Sequence, residues 1–359
     1  MNCWRCGFTH VVTLLLVAGP ASGSATQEGA RETAIEPCRE SCGLTLVPER
    51  EYGDDSGPGM IEAAGARAWL DESGRLYLLG AVTHVQVYGP DGAFLRRISR
   101  RGSGPGELEN GHSLVVTGDG VFSILDRSQG KILTFDWNGE LLREMRPHGW
   151  FPFGSRTVHV GGPLAVHHAD IQTPDRVGYP LHLVNLETGE AVGSFGSLTG
   201  EYDLFSGLNH VIARGPDRSV WMAEKYAYKI ELWEPNRIVR SLRRKASWFP
   251  EVPVSERSHG WGERPDPAIV GIAADDSLLW VFIATADEQW EKMGENRDLD
   301  LFYDTMIEVI DWKRKSVIAS ERFDESFFHW IGPGLFGRLV VTTGGSVRYQ
   351  TTRVQLDGR

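Results

Sequence analysis

The chain has 359 residues, 41% of them hydrophobic and 24% charged, which is the balance of a globular protein with room for one large all-β domain or two ordinary domains. Its formal net charge of −11 argues against nucleic acid and anionic membrane surfaces as partners.

Residues 1–25 read as a secretory signal. Arg5 supplies the positive end, Val11 to Ala18 the short apolar run, and Gly23-Ser24-Ala25 the small residues of a cleavage site. The run is too short to span a bilayer, and no cysteine follows it where a lipid would be attached. The expectation is an exported protein, periplasmic or extracellular, with no membrane insertion after signal cleavage; an uncleaved N-terminal anchor is the alternative. Residues 26–43 are polar, lack apolar periodicity and read as a flexible leader. Cys3 and Cys6 leave with the signal, so Cys38 and Cys42 remain and are expected to form a disulfide. Zinc on this pair alone would need further ligands, and no nearby histidine completes the set.

From Leu44 onward the chain repeats itself. Tyr88 to Arg96, with the turn Asp91-Gly92, returns 47 positions later as Phe135 to Arg143, with Asn138-Gly139. Such turns use Asn, Asp and Gly because these residues tolerate positive φ. Gly118 to Phe135 aligns without a gap on Pro216 to Trp233 at an offset of 98, pairing Asp126 with Glu224 and Lys131 with Lys229. Short strands repeating every roughly 40–50 residues mark propeller blades. Blade one runs from about Ile61 to Ser99, blade two from His112 to Met145, and the less regular blade three from about Ser155 to Phe195. Blade four runs from His210 to Leu242, blade five starts near Ile269, and blade six runs from near Phe327 to Leu356. A miscount at blade three or five would make the ring one of five or seven. Blade six lacks an outer strand, and Leu44 to Glu51 has no inner strands before it, so this segment is expected to close the ring and remove an open edge. The 12 tryptophans suit the wedge between blades.

The loop Gly102-Ser103-Gly104-Pro105-Gly106-Glu107, the strand Arg75-Leu76-Tyr77-Leu78 and the turn Asp91-Gly92-Ala93-Phe94-Leu95 together resemble six-bladed β-propellers of the NHL-repeat type. The resemblance implies an all-β, six-bladed propeller over residues 44–359. It does not choose an activity, because the fold hosts lyases, lactonases, sugar-binding modules and protein-interaction modules. Glu107 reads as structural, its carboxylate accepting backbone N–H bonds within the loop.

Three long loops, from His168 to Pro180, Arg244 to Ala268 and Thr285 to Tyr303, fall on one face of the ring. Long loops on a rigid scaffold commonly carry function. Trp248, His259, Trp261, Arg264 and Trp290 are the candidate ligand-contacting residues there; the same aromatic residues would equally suit a lid packed on itself.

His112, His210 and His329 lie eight residues before Gly120, Arg218 and Gly337, taken as one repeat position in alternate blades. They should open innermost strands at the mouth of the central tunnel. There they either bond neighbouring backbone or share a metal. The runs His112-Ser113-Leu114 and His210-Val211-Ile212 resemble the metal-bearing strands of peptidylglycine lyases. That resemblance implies zinc, or another divalent metal, on His112, His210 and His329, with no counterpart identified for that family's catalytic Tyr and Arg.

No nucleophile elbow, phosphate loop or His-Glu-x-x-His motif occurs. Two functions therefore stand at this level. The first is an exported, monomeric propeller that binds a small-molecule, peptide or protein ligand on its long-loop face, with no cofactor. The second is a metal-dependent lyase or hydrolase using the three histidines.

Overall fold

A computed structural model describes residues 30–38, 43–62, 67–71, 73–79, 82–117, 120–148, 154–169, 179–196, 210–253, 256–257, 263–292, 302–327 and 329–357. Two strands precede the blades: β1 (Glu32–Ala34) and β2 (Leu44–Tyr52). Blade one is β3 (Arg67–Leu70), β4 (Leu76–Leu79), β5 (Val85–Tyr88) and β6 (Phe94–Ile98). Blade two is β7 (Gly111–Val116), β8 (Val121–Asp126), β9 (Lys131–Asp136) and β10 (Leu141–Met145). Blade three is β11 (Gly154–Gly161), β12 (Leu164–Ala169), β13 (Leu181–Asn185) and β14 (Ala191–Phe195). Blade four is β15 (His210–Arg214), β16 (Val220–Glu224), β17 (Lys229–Glu234) and β18 (Arg237–Arg243). Blade five is β19 (Ala268–Ala274), β20 (Leu278–Ala286), β21 (Tyr303–Asp311) and β22 (Ser316–Phe323). Blade six is β23 (His329–Gly332), β24 (Leu335–Val341) and β25 (Val347–Leu356).

Six sheets result, each antiparallel across its blade strands, and β2 completes the sixth as its outer strand, with Leu44 opposite Leu356 and Tyr52 opposite Tyr349. The innermost strands β3, β7, β11, β15, β19 and β23 contact one another in ring order. The protein is a six-bladed β-propeller.

The pattern of each strand follows from its place in the blade. In blade two the central strands Val121–Asp126 and Lys131–Asp136 are buried on both faces, because a blade packs on either side. Outer strand β10 is exposed over Leu141 to Glu144. Buried apolar clusters fill each wedge. Tyr77 and Phe122 pack between blades one and two, and Leu125 with Val184 between two and three. Val158 with Trp233 lies between three and four, and Trp221 with Ile272 between four and five. Trp280 with Phe336 lies between five and six, and Tyr349 with Leu76 between six and one. Fully burying one such side chain contributes roughly 1.5–3 kcal/mol. Gly92 and Gly139 take φ of 87° and 89° in the equivalent turns of blades one and two.

The gapless repeat is physical. Asp126 and Glu224 end β8 and β16, and Lys131 and Lys229 begin β9 and β17. Glu107 behaves as its loop requires: the Gly104 N–H donates to it at 2.9 Å and Arg100 Nε at 2.7 Å, which hold its carboxyl below the usual carboxylate range.

The N-terminal segment corrects one expectation. Residues 32–38 are not a free leader. Strand β1 adds in parallel to β18, giving blade four a fifth strand, and Ile35 is buried in the wedge between blades four and five. Glu36 then bridges to Ser316 on blade five. Cys38 is disulfide-bonded and packs against the same wedge; Cys42 lies outside the described residues.

Candidate functional site

Every blade begins at the tunnel, and its first strand starts on one face of the ring. Arg67 opens β3, His112 is the second residue of β7, Arg156 the third of β11, His210 opens β15 and His329 opens β23. Strand β12 and the turn after β16 return to that face, bringing His167, His168 and Lys225. Sequence position thus places the three expected histidines at the tunnel mouth.

It does not bring them to one point. Among the described residues, no three His, Cys, Asp or Glu side chains are arranged to hold a metal ion, which corrects the expected zinc site on His112, His210 and His329. The cause is local. His112 is the extra residue of a β-bulge between Gly111 and Ser113, and bulges re-aim side chains. Its ring meets His167 of blade three edge-on, with centroids 6.4 Å apart. The ring of His210 meets His168 at 5.9 Å. His329 stacks on Tyr349 of its own blade at 6.3 Å. The repeat position used for His329 also differs: Gly337 pairs directly with His329 within the β23–β24 ladder, whereas Gly120 and Arg218 lie in the turns between first and second strands.

The histidines are neutral. Burial holds His112 and His210 at about 4, helped by the positive charges of Arg67 beside the former and of Lys225 and Lys229 beside the latter. Burial also lowers His329, with Arg67 adding to it, and it lowers His167 and His168 well below the ordinary value. The Nδ1 of His112 lies 3.0 Å from the Leu125 carbonyl, which can only accept. Nδ1 therefore carries the proton and Nε2 is an acceptor. That Nε2, and both ring nitrogens of the buried His210, have no hydrogen-bond partner among the described residues.

The tunnel encloses a cavity of about 800 Å³ walled by the inner strands of all six blades. A middle band of its wall is apolar, with Leu114, Val158, Ile272 and Ile331 among its residues, and Asp71, Arg75 and Arg214 stand at the far end. Arg67 and Arg156 stand in its upper part. The Arg156 guanidinium crosses the tunnel to lie 4.9 Å from the ring centre of Trp330. Burial lowers the Arg67 guanidinium, and burial together with the charge of Arg67 brings Arg156 down to about 10. Both keep their charge at neutral pH.

The expected ligand residues lie elsewhere. Trp248 packs on Tyr228 and Phe249 and lines a separate cleft with Ile35 and Arg243 at the rim. Arg264 is exposed, Trp290 is half-buried, and neither lines the tunnel. His259 and Trp261 lie outside the described residues, as does part of each long loop. Arg67, Arg156 and Trp330 were missed. Asking which titratable residue of any kind opens each inner strand would have found Arg67 beside the three histidines.

A sequence-family model described as a 6-bladed beta-propeller matches residues 70–162. No curated protein matches the chain. Among solved structures, a Bacteroides fragilis NCTC 9343 protein, provisionally named as exported, is 12% identical with a TM-score of 0.61 over 90% of this chain and 100% of that one. The likeness is one of fold. A streptogramin B lyase (12% identical, TM-score 0.39, 81% of this chain and 78% of that one) is more distant. So is the PQQ-bound aldose sugar dehydrogenase of Streptomyces coelicolor (13%, TM-score 0.44, 88% and 99%).

Proposed function

We propose that this protein is an exported, monomeric propeller that binds a small molecule in the mouth of its central tunnel, on the face that carries the long loops. One observation carries the reading: the tunnel holds a cavity of about 800 Å³ whose wall brings together Arg67, Arg156, Trp330 and His329, the last with a buried Nδ1 that has no partner among the described residues. Buried polar atoms are ordinarily satisfied, and the exceptions mark unfilled roles. A cavity of this size with an apolar band and a few polar groups has the build of a ligand pocket. Export is supported by the sequence of residues 1–25, by the oxidised Cys38, and by the name of the Bacteroides fragilis protein of the same fold.

Equilibrium dialysis of the mature protein against a small-molecule extract, with mass spectrometry of what is retained, tests the reading. Leu114→Trp should fill part of the cavity and abolish retention while leaving the propeller folded. A compound retained equally by both proteins would place binding elsewhere.

A further inference from the structure

Resting on that reading of the tunnel, we infer that its ligand is an organic anion whose carboxylate or phosphate group is held between Arg67 and Arg156.

The argument begins with charge. The chain as a whole is acidic, at −11. The wall of the tunnel is the opposite: it carries the four arginines Arg67, Arg75, Arg156 and Arg214 and a single carboxylate, Asp71. Asp71 is already committed to Arg75, whose Nε lies 2.7 Å away. Neither Arg67 nor Arg156 forms an ion pair or hydrogen bond with any described residue. Arg67 is exposed to the solvent of the tunnel and Arg156 is half-buried, so both guanidinium groups are open to a counter-charge brought by a ligand. Two guanidinium groups on the wall of one cavity, with the charge of Arg67 felt at Arg156 and no free carboxylate among the described wall residues, make a positive focus that an anion would neutralise.

Orientation adds specificity. The contact with Trp330 holds the Arg156 guanidinium against the indole, while its N–H groups have no partner among the described residues. Such groups suit two parallel hydrogen bonds to a carboxylate or phosphate. The apolar band below Arg67 and Arg156 suits a carbon skeleton, so the fit is to an amphiphilic organic acid or phosphate ester rather than to a bare ion.

The test uses the mature protein with citrate and inorganic phosphate as probes, in thermal-shift and calorimetric titrations against sodium chloride of equal ionic strength. Citrate or phosphate should raise Tm in the wild type, and Arg67→Gln and Arg156→Gln should each weaken that binding at least tenfold. Stronger citrate binding marks a carboxylate group, and stronger phosphate binding a phosphoryl group. Without probe, Arg67→Gln should raise Tm, since it removes one of two unpaired like charges; a structural arginine would lower it. Equal stabilisation of wild type and both variants would be a general salt effect and would overturn the inference. So would retention in dialysis of an uncharged or cationic compound that Leu114→Trp abolishes, an outcome that leaves the tunnel reading standing. Loss of the tunnel reading itself would show as retention insensitive to Leu114→Trp.

Discussion

Arg156 of blade three and Trp330 of blade six meet across the tunnel, the guanidinium 4.9 Å from the ring centre. The indole is held from behind: it stacks on Phe282 of blade five at 6.3 Å with 18° between planes, and it lies directly over Gly271 of β19. A Cβ at Gly271 would overlap the indole ring. Gly271→Ala should therefore destabilise the protein by about 1–3 kcal/mol. Trp330→Leu makes room, so the double variant should lose less than the sum of the singles, as urea denaturation would measure.

A second prediction concerns blades four and five. Glu308 is fully buried and accepts the Tyr228 hydroxyl at 2.7 Å and Arg244 Nη2 at 3.3 Å. Burial first, and then the charge of Glu308, push the Tyr228 phenol well above its ordinary value. Glu308→Ala should cost about 3–5 kcal/mol, because Arg244 is left without its counter-charge. Tyr228→Phe should cost only about 1–3 kcal/mol. Equal losses in chemical denaturation would contradict this division.

Stability should fall with acid. His112 and His210 sit at about 4 in the fold and near 6.5 when unfolded. Between those values the unfolded chain binds protons that the folded chain refuses, so unfolding gains as pH drops. The stability is fully present above about 6.5 and is lost on the way to about 4, at roughly 3 kcal/mol for each histidine. Tm should be flat from pH 8 to 7 and decline below 6.5, and His210→Phe should make the decline shallower. An unchanged slope in that variant would count against the assignment.

The disulfide of Cys38 should tie down the segment that carries β1. Labelling of denatured, non-reduced protein is expected to find Cys38 and Cys42 both blocked. Reduction should expose the backbone of Glu32–Ala34 to hydrogen exchange before that of β17 or β18, since β1 is a three-residue edge strand. Simultaneous exposure of all three strands would refute a local role.

Removal of residues 44–52 should leave the outer edge of β25 unpaired. The truncated protein is expected to associate through that edge, giving concentration-dependent oligomers in light scattering. A monodisperse truncated monomer would be the contrary result.

The blades were legible because their signals are local. The turns at Gly92 and Gly139 and the Lys131–Lys229 register are set by neighbouring residues, and the pairing of Leu44 with Leu356 followed from counting strands. Strand β1 was not legible: Glu32-Thr33-Ala34 has no apolar alternation, and its partner is an edge made much later in the chain. The histidines were placed correctly along the strands, yet their directions depend on a bulge at His112 and on packing against His167 and His168. Arg67 and Arg156 escaped notice because an arginine at the start of a strand ordinarily means a solvated surface; only the closed ring makes it a tunnel wall.

The N-terminal segment touches blade four through β1, blade five through Glu36 and blade six through β2. Thr45 bonds Asp357, 312 residues away. A ribosome or a translocation channel therefore delivers the clasp first and its last partner at the end. Until the C-terminal strand emerges, blade six has no third strand for β2 to join, and the circle stays open. The order of synthesis thus acts as a clock: the molecule is kept from closing its ring until all six blades have been threaded out.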